Sequence, residues 1–150
     1  MQLTLFSDYA LRVLLYLSAH RERRVPLSEI SAAYGISQHH LVKVVQLLVE
    51  ERLVESVRGR GGGLRLAQEP RDINIAAVVR MTEPNLSLVE CFDALTNTCP
   101  IDSACGLKHV LVRAQRAFFA ELERHSLADF GSRGPALIKL WQRRSKELPA

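Results

Sequence analysis

Three cysteines stand close together in a chain that has no others: Cys91, Cys99 and Cys105, within the stretch CFDALTNTCPIDSAC. Thiols grouped in this way can form disulfides or bind soft metals. An odd number crowded into one turn-rich segment would leave a disulfide framework with one thiol unpaired, so a reduced, cytoplasmic setting is expected. The spacings are Cys91-x7-Cys99 and Cys99-x5-Cys105, with no CxxC pair of the kind that closes the tight chelate loops of zinc fingers and ribbons. Wider spacing lets a loop wrap a larger object, and thiolates are the standard ligands of iron–sulfur clusters. Three sulfurs leave one position for a weaker ligand, and a centre held that way is open to small molecules. The plain alternative is three unrelated free thiols, one or two of them buried as small apolar side chains.

A second group could read DNA. Ser37, Gln38, His39, His40 and Lys43 lie at the start of an amphipathic segment. Recognition helices carry such side chains at their N-terminal end, where they reach base edges in the major groove. Gln38 offers the paired donor and acceptor that match adenine, His39 suits a base or a phosphate, and Lys43 suits a phosphate. Further on, Arg58 and Arg60 flank a glycine and precede Gly61, Gly62 and Gly63. Glycines allow close backbone approach to a duplex, and arginine inserts into narrow minor grooves. The GGG run is no nucleotide-binding loop, because no Lys-Ser or Lys-Thr pair follows and Leu64 starts a strand.

These groups need a scaffold. The chain has 150 residues, 47% of them hydrophobic, and a formal net charge of +4. That is enough for a packed core, and the basic balance favours an anionic partner. No run reaches the roughly 20 apolar residues of a membrane helix, and Asp8 and Arg12 interrupt the apolar start as no secretory signal would allow. The periodicity predicts a helix from about Thr4 to Ala19. A short helix over 26–34, with Ser28 as its cap, is stopped by Gly35. A third helix from Gln38 to about Glu51 is capped by Ser37, with Leu41, Val42, Val45, Leu48 and Val49 as its apolar face. Helix, glycine turn and helix make a helix-turn-helix pattern. Residues 53–57 and 64–66 read as the two strands of a β-hairpin wing, and Asn74 caps a helix that ends before Pro84. The segment 86–104 reads as a long loop. A helix from Gly106 to about Arg124 has an apolar face too wide for a small head to cover, and such helices often pair with a symmetry mate. A short helix near 137–143 and a frayed end complete the chain.

The expected fold class is mainly α: a winged helix-turn-helix DNA-binding domain over 1–83, a cysteine loop over 84–105, a long dimerisation helix over 106–130 and a C-terminal tail over 131–150. The chain is not expected to be an enzyme, since it has no ordered nucleophile–base set.

On specific residues the chain resembles a known family. Met1-Gln2-Leu3-Thr4, Asp8-Tyr9-Ala10-Leu11-Arg12, the turn Tyr34-Gly35-Ile36-Ser37, the wing VRGRGGGLRLA and the triple cysteine are similar to the NsrR/IscR/RirA family of iron–sulfur winged helix-turn-helix regulators. The likeness spans about residues 1–130. Leu86-Ser87-Leu88-Val89-Glu90-Cys91 and Ala104-Cys105-Gly106-Leu107-Lys108 are most similar to its nitric-oxide-sensitive branch. The resemblance implies a homodimer on an operator of double-stranded DNA, with a [4Fe-4S] or [2Fe-2S] cluster on Cys91, Cys99 and Cys105 of each half. It also implies Asp8 of the other subunit as fourth ligand. A carboxylate is a hard partner for iron beside three thiolates and is readily displaced. Where one branch of the family uses a histidine after the third cysteine, this chain has Lys108, with His109 one position later. The function implied is a repressor that senses nitric oxide, with cluster nitrosylation releasing it from operator DNA. Iron or cluster status is the alternative signal, because the seven-residue gap is shared with the iron-responsive branch.

Overall fold

The computed structural model describes residues 2–147. Its hub is α1 (Leu5–Ala19), whose Ala10, Val13, Leu14, Tyr16 and Leu17 are buried. That inward stripe repeats every three to four residues, the period of one helix face. Thr4 caps α1 by accepting a hydrogen bond from the Ser7 amide at 3.2 Å. The carboxylate of Glu83, distant in sequence, accepts from the Thr4 amide at 2.8 Å and from the Thr4 hydroxyl at 3.1 Å.

Packed on α1 is the helix-turn-helix: α2 (Leu27–Tyr34) and α3 (Gln38–Glu50). Between them Gly35 adopts φ 66°, a left-handed conformation that closes the helix and that a β-carbon disfavours. Ser31 locks the turn by donating to the Ile36 carbonyl at 2.6 Å. Pro26, not Ser28, is the N-terminal flank of α2, and no side chain caps it; proline already fixes the φ that the position requires. Ser37 caps α3 as expected, accepting from the His40 amide. The inward face of α3 is Leu41, Val44, Val45 and Leu48. Val42 and Val49 are 42% and 36% exposed. They form a second row seven residues apart, rotated away from the Leu41–Leu48 stripe, and Val44 takes the place expected of Val42.

The wing is an antiparallel hairpin of β1 (Val54–Val57) and β2 (Gly63–Leu66), with Val54 opposite Leu66 and Val57 opposite Gly63. Val25 exchanges two 2.8 Å backbone hydrogen bonds with Leu64 and fixes the wing to the segment before α2. Gly62 has no room for a side chain, since a β-carbon there would lie 2.3 Å from the Val57 carbonyl oxygen. A 3-10 turn over Pro70–Asp72 leads to α4 (Ile75–Thr82), capped by Asn74 through the Ala77 amide.

After the cysteine loop, α5 (Gly106–Glu123) is the longest helix described and has no fully buried residue. It meets the head through α4: Asn74 donates to the Glu123 carbonyl at 2.8 Å, and Arg80 pairs with Glu123 and lies over the Phe119 ring. Leu107 and Val110 remain 63% and 49% exposed. A 3-10 segment, Leu127–Arg133, returns the chain to α1. The sequence suggested a short helix near 137–143; α6 (Gly134–Glu147) is longer and packs on α1 and α2, with Trp141 buried. Residues 144–147, expected to begin a frayed end, continue this helix, and 148–150 lie outside the described residues. No helix among the described residues is long and apolar enough to cross a membrane.

Candidate DNA-reading surface and cysteine site

Ser37, the cap of α3, and Gln38, His39 and Lys43 along its first turns are exposed, while Leu41 and Val44 are buried. The core therefore sets the rotation of α3 and turns its polar row outward. Arg58 and Arg60 are exposed at the tip of the wing, on either side of Gly59, which adopts φ 94°. Among the described residues no carboxylate pairs with Lys43, Arg58 or Arg60, whereas Arg65 on β2 is engaged by Glu55 at 2.7 Å. Lys43, Arg58 and Arg60 are therefore available to a phosphate backbone.

The cysteine loop is built differently. Glu83 ends α4 and holds the start of α1. Gln115 of α5 donates to the Leu86 carbonyl and fastens the beginning of the loop to that helix. Cys91 lies in a 3-10 turn, Glu90–Phe92. Glu90 accepts from both the amide and the hydroxyl of Thr98 at 2.6 Å. Glu90 and Thr98 immediately precede Cys91 and Cys99, so this clamp draws the two cysteine-bearing segments together. The Thr98 hydrogen bonds hold the Glu90 carboxyl below its ordinary value. Asn97 accepts from the Cys99 amide at 3.0 Å, and a second 3-10 turn, Asp102–Ala104, leads to Cys105.

Cys105 is the N-terminal flank of α5, and no side chain caps that helix. Its first amides are thus free of side-chain acceptors at the end where a helix favours negative charge. Lys108, one turn into α5, binds Asp102 at 2.6 Å. The Asp102 hydrogen bond holds the Lys108 ammonium above its ordinary value. Lys108 and Cys91 line one surface cleft with Phe92 and Val112. The fold thus places Cys91 beside a cation.

All three cysteines are free thiols and half-buried. Among the described residues no three His, Cys, Asp or Glu side chains converge on one metal position; the sulfurs share a loop rather than a point. As a donor set they suit an iron–sulfur cluster: soft thiols outside any disulfide, a free helix N-terminus beside one of them, and a lysine to offset charge. Asp8 lies on α1, where both carboxylate oxygens are taken by Arg12 of the same protomer, at 2.9 and 2.7 Å. The pair is about two-fifths exposed, so it can open at small cost.

Glu83 and Thr98 do not stand out in the sequence, and Glu90 and Lys108 appear there only within family motifs. Each is an ordinary surface type, and only the fold shows what it touches. The one local signal is that Glu90 and Thr98 each directly precede a cysteine.

A helix-turn-helix with an arginine wing, joined to a thiol-rich loop, defines a winged-helix DNA-binding regulator. The model of the Rrf2 family, described as an iron-dependent transcriptional regulator, matches residues 3–133, and the chain belongs to that family. It is 46% identical over 141 residues to the HTH-type transcriptional regulator NsrR of Bacillus subtilis (strain 168), covering 93% of this chain and 97% of that protein. It is 49% identical over 130 residues to NsrR of Geobacillus kaustophilus, covering 86% and 88%. Among solved structures it superposes on T. potens IscR with a TM-score of 0.70 at 27% identity, covering 87% of this chain and 85% of that one. The chain is a DNA-binding transcription regulator and not an enzyme.

Proposed function

We propose that this chain is a cytoplasmic, homodimeric repressor that holds an iron–sulfur cluster and leaves its operator when nitric oxide is present. One observation carries the reading: near-full-length likeness to NsrR regulators coincides with three free thiols confined to a single loop. Cys91, Cys99 and Cys105 would hold the group, with Asp8 of the partner subunit as fourth ligand. A bound cluster supplies iron that reacts with nitric oxide.

The remaining work falls to this chain's own residues. Glu90 and Thr98 keep the first two thiols at one end of the loop, and Lys108 offsets negative charge at Cys91. Asp8 gives up Arg12 to serve the partner. Glu83 joins the start of the loop to the cap of α1, and α1 packs directly on α3. Loop order thereby biases the placement of α1 and, through it, of the recognition helix. The exposed face of α5 supplies the dimer contact, and the dimer sets two recognition helices about 34 Å apart, one turn of DNA. Shifting the operator equilibrium requires a coupling of only about 1–3 kcal/mol.

The test is iron and acid-labile sulfide analysis of anaerobically purified protein, beside a Cys99→Ala variant. Brown wild-type protein containing both elements and a colourless variant are expected. A colourless, iron-free wild type would remove the reading. A response to iron depletion with indifference to nitric oxide would instead favour the iron-sensing alternative, to which the family's iron dependence lends support.

A further inference from the structure

A large share of the chain's net positive charge lies in its last helix. The formal net charge is +4. Within α6 stand Lys139, Arg143, Arg144 and Lys146 against the single acid Glu147, a net +3. The whole remainder therefore carries +1. The Rrf2 model ends at residue 133, so this basic helix lies beyond the matched region.

Its placement is fixed by its apolar side. Trp141 is 8% exposed and packs against the rings of Tyr16 at 4.5 Å, Tyr34 at 5.6 Å and His20 at 5.9 Å. Leu137 and Ile138 join the same core. Tyr34 is the last residue of α2 and stands three residues before Ser37, the cap of the recognition helix. The helix is thus anchored directly beside the helix-turn-helix turn. With Leu137, Ile138 and Trp141 turned inward, the 3.6-residue period puts Lys139 and Arg143 together on the opposite side. Lys139, Arg143 and Arg144 are exposed, and among the described residues none is paired with a carboxylate. In this they match Lys43, Arg58 and Arg60 and differ from Arg21, Arg23 and Arg65, which are bound by Glu69, Glu29 and Glu55.

We propose that α6 is a phosphate-binding element that contacts the sugar–phosphate backbone of duplex DNA next to the base pairs read by α3 and the wing. The inference rests on the DNA-binding reading and extends it to a surface with no base-reading role. Lysine and arginine contacts of this kind add affinity and salt dependence without sequence preference.

The test measures binding of the full chain to a mixed-sequence duplex of about 30 base pairs by fluorescence anisotropy across a salt series. Wild type is compared with K139Q/R143Q/R144Q and with R58Q/R60Q. Trp141 is the only tryptophan, so an unchanged emission maximum verifies that α6 stays docked in the variant. The α6 variant is expected to bind about tenfold or more weakly, with a log–log salt slope shallower by about 0.9 for each phosphate it no longer neutralises. Its relative preference among duplex sequences should stay unchanged. A charge-keeping R143K/R144K variant should retain the wild-type slope. If R58Q/R60Q weakens binding while the α6 variant keeps wild-type affinity and slope, the α6 proposal alone is overturned. If wild type binds no duplex, the DNA-binding reading falls with it.

Discussion

The DNA-reading head and the cysteine loop are joined at Glu83, yet they are held together by opposite means. The head is fixed by burial: Leu14, Leu17, Ile30, Leu41 and Leu48 are almost wholly enclosed. From 84 to 105 the chain has no fully buried residue. It is shaped by a handful of polar contacts, chiefly Glu90 with Thr98 and Asp102 with Lys108. A region held by a packed core keeps one arrangement. A region held by exposed hydrogen bonds opens at much lower free energy, and such regions are where a signal can act.

The sharpest way to break this contrast is to damage each region and compare. Leu48→Ala should cost about 2–5 kcal/mol of unfolding free energy by chemical denaturation, because it leaves a cavity under α3. In cluster-free protein, Cys99→Ala should move the same transition by no more than about 0.5 kcal/mol, as expected of a change away from any core. A Cys99→Ala penalty as large as that of Leu48→Ala would mean that the loop is part of the folding core.

The same contrast explains what could be read from sequence. α1, α3 and the wing were legible because burial imposes a period and glycines mark the turns. The slip at Val42 and Val49 arose because α3 carries two valine-containing rows, and only packing against α1 decides which is inside. α6 was under-read because Leu137, Ile138 and Trp141 are too few to show a period, and its partners Tyr16 and Tyr34 lie more than a hundred residues earlier. In the site, the ligand-type residues were evident from composition. The contacts that arrange them were not, since nothing local joins Glu83 to Thr4 or Lys108 to Cys91.

The hinge between the regions gives the next largest effect. Glu83→Gln weakens the hydrogen bonds that cap α1 and should cost about 1 kcal/mol in thermal or chemical unfolding. It should also reduce the difference in operator affinity between cluster-loaded and cluster-free protein. Partial burial tends to raise the Glu83 carboxyl, but the Ser7 and Thr4 hydrogen bonds outweigh it and leave it below the ordinary carboxylate value. The folded form therefore holds its proton less tightly than the unfolded one. The stabilisation is present above the unfolded carboxylate pKa and is lost as pH falls through the lower folded value. The melting temperature of wild type should drop more steeply over that acid range than that of Glu83→Gln. Parallel curves would show that the Glu83 cap does not couple to stability.

The smallest effect on stability belongs to Asp8. Its pairing with Arg12 is an exposed i,i+4 contact, worth about 0.3–0.5 kcal/mol. Asp8→Ala should therefore leave the unfolding curve nearly unmoved while altering the absorption spectrum of cluster-loaded protein. An unaltered spectrum would remove Asp8 from the ligand set and leave it as a helix-surface charge.

The most direct measurement is operator occupancy during a stepwise nitric oxide titration of iron-loaded protein under strictly anaerobic conditions, with Cys91→Ala run in parallel. Wild type should start bound to a labelled promoter duplex and dissociate as nitric oxide is added, while the variant shows neither the initial tight binding nor the response. Equal, nitric-oxide-insensitive occupancy by the two proteins would contradict the claim that these thiols govern the DNA-reading head.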